Sequence, residues 1–147
     1  MKTIDVYALG NAVVDLSARV SDNALSDLRF PKGSARSISE EESELILARY
    51  APDLGKECWT AAGSVANSVV IVSDAGGKSA LAGRIADDRY GRFYLDEFGK
   101  LQVQFGNPPV AQGRTGTVIC LVTPDGERTM PFTLGVAADF SKTDVER

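Results

Sequence analysis

The sequence predicts an α/β domain with a mainly parallel sheet and a smaller β-layer set apart from it. Three observations carry this expectation. Extended runs at 4–9 and 79–83 alternate with helical patterns at 39–50, 65–73 and 89–100, the order of a βα fold. Those two extended runs are almost continuously apolar, as in strands covered on both faces. Residues 17–38 and a hairpin over 117–134 are instead half polar, which suits a layer with one open face.

Each element has a local reason. Ile4 to Leu9 reads as a buried strand ending at Gly10-Asn11, and Val13, Val14 and Leu16 resume an extended pattern that alternates through Ser17, Ala18, Arg19 and Val20. Residues 22–30 are short and mixed, and Pro31-Lys32-Gly33 is a turn. Ser39 with Glu42 makes a capping box that opens a helix running through Leu45, Ile46 and Leu47 to about Tyr50, stopped by Pro52 and Gly55. Cys58-Trp59-Thr60 is a short strand leading into Ala61-Ala62-Gly63-Ser64, and 65–73 is a buried helix of small and β-branched residues. After the 79–83 strand, Asp88 is placed to cap an amphipathic helix with Tyr90, Phe93, Tyr94 and Phe98 towards the core. Pro124-Asp125-Gly126 marks the hairpin turn, and a further helix begins after Asp139.

Composition narrows the function classes. A net charge of −4 argues against a nucleic-acid or anionic-lipid surface, while leaving room for a small anion held by backbone dipoles. No apolar run has signal-peptide or membrane-spanning length, so a cytoplasmic protein without a membrane partner is expected. Cys58 and Cys120 lie among apolar or aromatic neighbours and read as reduced thiols. There is no histidine, which removes Ser-His-Asp and Cys-His nucleophiles and the commonest transition-metal ligand.

Two segments could carry chemistry. Gly10-Asn11-Ala12-Val13-Val14-Asp15 follows a strand, where ligands gather in open α/β sheets. A carboxylate with an amide can bind paired hydroxyls, although a turn with a solvated Asp15 would look the same. In Ala61-Ala62-Gly63-Ser64-Val65-Ala66-Asn67-Ser68, Gly63 lets a ligand approach a helix N-terminus and Asn67 lies one turn further on. An amide among Val65, Val69, Val70 and Ile71 is expected to be buried and to need partners, whether ligand or local cap.

Three other segments weigh less. Gly76-Gly77-Lys78-Ser79 imitates the end of a phosphate-binding loop but follows a helix and has Val72 where the motif needs glycine. Asp87-Asp88 lacks the converging oxygen ligands of a metal site. Met130, Phe132 and Leu134 share one face of the hairpin with Arg128 near the turn, either as an ordinary half-buried face or as a cover over a ligand.

In this order the segments resemble the PfkB/ribokinase family of carbohydrate kinases. Gly10 to Asp15 resembles the family's opening Gly-x-x-x-x-Asp, and Ala62 to Asn67 its Gly-Gly-x-x-x-Asn signature with Ala62 replacing the first glycine. Gly83 to Gly91 resembles Gly-x-x-x-Asp-Asp-x-x-Gly, and Gly116-Thr117 with Pro124 to Arg128 resembles the later lid strands. The resemblance implies a ribokinase-like three-layer sandwich with a β-sheet lid at about 17–38 and 110–134, the chain forming the N-terminal part of the kinase domain. It implies ATP- and Mg2+-dependent phosphorylation of a sugar or nucleoside hydroxyl by the complete enzyme. Asn11, Asp15, Gly63, Ser64 and Asn67 would hold the acceptor, with Met130 and Phe132 on the lid, in a way similar to the adenosine-kinase branch.

The family's catalytic base belongs to a Gly-Ala-Gly-Asp segment, and no Gly-x-Gly-Asp occurs in these 147 residues. By the resemblance, that base would lie beyond Arg147. The expectation is therefore a chain cut off before its catalytic half, with no catalytic, nucleotide-binding or metal-binding residue of its own. The alternative is a non-catalytic small-molecule-binding or dimerising module whose lid strands pair with a second copy. A dinucleotide-binding dehydrogenase is set aside because no Gly-x-Gly-x-x-Gly follows a strand.

Overall fold

The structure is a computed structural model describing residues 3–52 and 54–146. Arg147, beyond which the family's catalytic base is expected, lies outside the described residues. In chain order the structure contains β1 (Val6–Leu9), β2 (Val13–Arg19), α1 (Asp22–Leu28), β3 (Ala35–Ser37), α2 (Glu40–Tyr50), β4 (Trp59–Ala62) and α3 (Ser64–Asp74). Then follow β5 (Ser79–Ala82), α4 (Arg89–Lys100), β6 (Gln104–Phe105), β7 (Thr115–Val122), β8 (Arg128–Gly135) and α5 (Lys142–Val145). The chain divides into two compact units, one holding 3–14, 61–116 and 134–146, the other 15–60 and 117–133.

In the first unit β1, β5 and β6 form a parallel sheet in that order, Val6 pairing with Ser79 and Ala80 with Gln104. Its core is aromatic: the Tyr94 and Phe98 rings stack with centroids 4.4 Å apart, and Phe105 meets both edge-on. Phe93, Tyr94 and Phe98 are buried, as the helical spacing predicts, but Tyr90 is only half-buried, being in the first turn of α4. The two-residue β6 is too short to leave a pattern in the sequence.

One expectation fails here. All four residues of β5 are buried, yet Val6, Tyr7 and Leu9 of β1 are 39, 53 and 48% exposed. The strand Ile4 to Leu9 was expected to be buried. Among the described residues β1 pairs with β5 alone, and what packs over its two faces leaves Val6, Tyr7 and Leu9 largely uncovered.

The second unit carries a five-stranded sheet in the order β3-β8-β7-β2-β4. Its core gathers Ala18 of β2, Ile119 and Leu121 of β7, Leu25 of α1, Ile46 of α2, and Phe30 and Ile38. The capping box at α2 is complete, with Glu42 N donating to Ser39 Oγ at 3.1 Å and Ser39 N to Glu42 Oε2 at 3.4 Å. Residues 17–38 are not one extended region. Asp22–Leu28 forms α1, because burial of Ala24 and Leu25 against the sheet outweighs the mixed local pattern. Cys58 ends a short 3-10 turn, and the following strand starts at Trp59. Both cysteines are free thiols.

The hairpin turn is locked by Asp125, which accepts from Thr123 Oγ1 at 2.7 Å and pairs with Lys32 Nζ at 2.7 Å. The same Lys32 reaches Asp22 of α1. The Lys32 bond, then the Thr123 hydroxyl, hold the Asp125 carboxyl down to about 2.

Candidate functional site

In the first unit the turns after β1 and β4 meet. Gly63 stands at φ +122°, and a Cβ placed on it would run into the carbonyl oxygen of Asn11. Only glycine satisfies both the backbone angle and the close approach. Gly63 is also the N-cap of α3 and offers no side chain to the helix's first turn. The amides at this end are therefore free of a side-chain cap, no acidic residue occupies the turn, and an electron-rich ligand group is favoured there. Asn67 N donates to Gly63 O at 3.0 Å, so Asn67 closes the first helical turn.

Asn11, Ser64 and Asn67 are all exposed. For Asn67 this corrects the expectation of a buried amide. The buried line of α3 is Ala66 and Val69, and Asn67 lies one step round the helix from it, on the side where Ile71 is 67% exposed. Its side chain faces outward and needs no partner within the protein.

In the second unit Asp15, Met130 and Phe132 share the sheet face opposite the core. Along β2 the buried Leu16 and Ala18 alternate with Asp15, Ser17 and Arg19; along β8 the buried Thr129, Pro131 and Thr133 alternate with Arg128, Met130 and Phe132. Thr117 and Thr133 lie on the core side with their hydroxyl oxygens 3.4 Å apart. On the other side, burial raises the Asp15 carboxyl pKa, and the Arg128 charge partly offsets this. Burial likewise raises the Cys120 thiol, with Arg128 and a hydrogen bond from Ser17 opposing and Asp15 reinforcing the rise.

Structure thus brings Asn11, Gly63, Ser64 and Asn67 together in one unit and Asp15, Met130 and Phe132 onto one face in the other. Ser17, Cys120 and Arg128 join the second group. The alternation of β2 was the signal that could have found Ser17, whereas β7 is apolar from Val118 to Val122 and gave none for Cys120.

The Gly76-Gly77-Lys78-Ser79 turn lines a small polar pocket of about 260 Å3 at the amino end of β5. Its serines are committed elsewhere: Ser79 Oγ donates to Val69 O at 2.6 Å and Ser73 Oγ to Leu101 O at 2.7 Å. Among the described residues no cluster of three or more His, Cys, Asp or Glu could hold a metal ion. Nor, among them, is any helix long and apolar enough to cross a membrane.

Comparison with known proteins gives consistent findings. The family model described as pfkB family carbohydrate kinase matches residues 53–147. A fructokinase of Klebsiella pneumoniae is 37% identical over 79 residues, which is 53% of this chain and 26% of the relative. A probable sugar kinase from Rhizobium etli CFN 42 superposes with a TM-score of 0.86 at 32% identity, covering 99% of this chain and 43% of that one. An adenosine kinase from Sinorhizobium meliloti gives 0.84 at 31% identity, covering 96% and 42%. The chain thus spans about a quarter of the length of the curated relative and about two fifths of the solved chains. The fold is the ribokinase-like α/β arrangement expected from the sequence.

Proposed function

We propose, from the premise that this chain belongs to the pfkB family of carbohydrate kinases, that it supplies the acceptor-binding residues for ATP-dependent phosphorylation of a sugar or nucleoside hydroxyl. The observation that carries the reading is the contact between Asn11 and Gly63 at the uncapped start of α3. Asn11 and Asn67 would each donate to and accept from acceptor hydroxyls, and the first-turn amides of α3 would fix an oxygen. Asp15 would accept from a hydroxyl. Met130 and Phe132 would give the apolar part of a lid over 17–38 and 110–134 that excludes water. That lid belongs to an N-terminal part of the kinase domain spanning 1–147.

The relatives' names point both to sugars and to a nucleoside, and the apolar Met130 and Phe132 suit either a base or a hexose ring. For the complete enzyme, ATP would supply the phosphoryl group and Mg2+ its charge neutralisation. The described carboxylates do not gather into a set that fits Mg2+. With no Gly-x-Gly-Asp in the sequence, and the base expected beyond Arg147, the 147-residue chain would bind acceptor without turnover. Free thiols at Cys58 and Cys120 suit a cytoplasmic setting.

Calorimetry of the chain with fructose, ribose and adenosine tests the reading. Binding of one of them, weakened at least tenfold by Asn67→Ala, is expected. No binding of any would overturn it, and ATP-dependent turnover would overturn the claim that the chain alone is inactive.

A second reading, a dimerising module, draws on the exposed apolar edge of β1 rather than on the lid strands. The lid-sheet edge β3 is only three residues long, and its Arg36 is paired with Glu42 at 3.0 Å.

A further inference from the structure

The two long helices of the first unit, α3 and α4, lie on the same face of its parallel sheet. Ser79 Oγ donates to Val69 O of α3 at 2.6 Å, so Ser79 faces α3, and the register sets Val6 beside it. Phe105, which meets Tyr94 and Phe98 of α4, pairs with Leu81, two residues on from Ser79 and so on that face too. Tyr7 and Leu9 therefore point to the opposite face with Ala80 and Ala82, and they are 53 and 48% exposed. Tyr7 lies across that face: a Cβ on Gly106 would come within 2.7 Å of its hydroxyl oxygen. Parallel sheets are normally covered on both faces, yet α3 and α4 cover only one of them here. The edge is open at the same place. Val6 N donates to Lys78 O and Gly10 N to Ala82 O, and alternate residues of a parallel strand bond the same neighbour. The backbone groups of Tyr7 and Leu9 consequently point away from β5, and β1 has no other strand partner among the described residues.

We infer that this edge and face dock a strand-helix segment of a second polypeptide, of the kind that makes up the rest of a pfkB-type domain. Its strand runs parallel to β1 and bonds the Tyr7 and Leu9 backbone, and its helix packs on their side chains. Two arguments select this occupant over a second copy of the chain. More than half of each solved kinase that superposes on this chain lies outside the superposed part, so polypeptide of the needed size exists in such proteins. A second copy joined through β1 would run antiparallel about a two-fold axis normal to the sheet. That pairing would close the edge but leave Tyr7 and Leu9 of both copies bare on one common face. The inference rests on the family reading and not on the residues assigned to the acceptor.

The test is co-expression of the 147-residue chain with a separate tagged polypeptide, the part of the Rhizobium etli probable sugar kinase that this chain does not cover, followed by affinity purification and hydrogen exchange. The two should copurify in equal amounts. The Tyr7 and Leu9 amides should exchange at least about a hundredfold more slowly in the complex than in the chain alone. Tyr7→Glu combined with Leu9→Glu should abolish copurification, whereas Leu45→Glu, at an exposed apolar residue of the second unit, should leave it intact. Asn67→Ala, the variant that tests acceptor binding, should leave it intact as well, so this inference and the acceptor reading fail separately. Absence of copurification overturns the inference, and so does a complex that survives the double substitution. A complex without slower exchange at Tyr7 and Leu9, or a homodimer joined through β1 in its place, overturns it too.

Discussion

Asp88 and Thr115 are joined by two hydrogen bonds of equal length: the Thr115 amide and the Thr115 hydroxyl each donate to the Asp88 carboxylate at 2.8 Å. The same carboxylate caps α4 by accepting from Gly91 N at 2.7 Å, and Thr115 Oγ1 accepts from Ala86 N at 3.0 Å. One side chain therefore ties the β5–α4 turn to the start of β7. Asp88→Ala should destabilise the chain by about 3 kcal/mol, combining a lost cap with two lost charge-assisted bonds. Asp88→Asn, which keeps an acceptor, should cost about 1 kcal/mol. Urea denaturation followed by Trp59 fluorescence distinguishes these outcomes.

Gly91 belongs to the same arrangement. A Cβ there would collide with the Ala86 carbonyl oxygen and lie 2.9 Å from Thr115 Oγ1. Gly91→Ala is expected to cost about 3 kcal/mol as overpacking, despite the better helix propensity of alanine. A melting temperature at or above that of the wild type would contradict the close approach.

Gly63→Ala should lose both stability and acceptor binding, because the substituted residue must leave φ +122° and push against the Asn11 carbonyl. Asn67→Ala separates the two effects. Its side chain is exposed, so stability should stay within about 0.5 kcal/mol of wild type. Acceptor affinity, measured by calorimetry, should fall about tenfold or more.

Asp15 is predicted to trade stability for binding. Burial raises its pKa in the folded chain, so the folded state holds its proton more tightly than the unfolded state does. The ionised form is therefore a cost that appears as pH rises above the unfolded carboxylate value near about 4. Asp15→Asn should melt higher than wild type at about pH 7, and the difference should shrink as pH falls towards about 4. The same variant should bind acceptor more weakly.

The exposed β1 edge gives a test of association. If the chain pairs through it, sedimentation should show a concentration-dependent dimer that Leu9→Lys abolishes, leaving the helical signal unchanged. A dimer unaffected by that substitution but lost on Arg36→Glu would place the contact on β3 instead.

Much of this molecule was legible in its sequence because the signals are local. The Ser39–Glu42 capping box, the Asp88 cap, the Pro124-Asp125-Gly126 turn and apolar periodicity each act within one or two turns of chain, and they placed α2, α3, α4, β5 and the β7–β8 hairpin. Gly63 and Asp88 could be singled out for the same reason, as residues whose types suit a strand-to-helix turn and a cap. Tertiary structure decided what depends on distant neighbours. Burial of Leu25 made a helix inside 17–38, and Thr115, 27 positions from Asp88, became its partner. Asn67 turned outward because α3 buries Ala66 and Val69. Strand β1, apolar along its length, became an edge because strand neighbours are set by the fold of the whole sheet, while side-chain character is written one residue at a time.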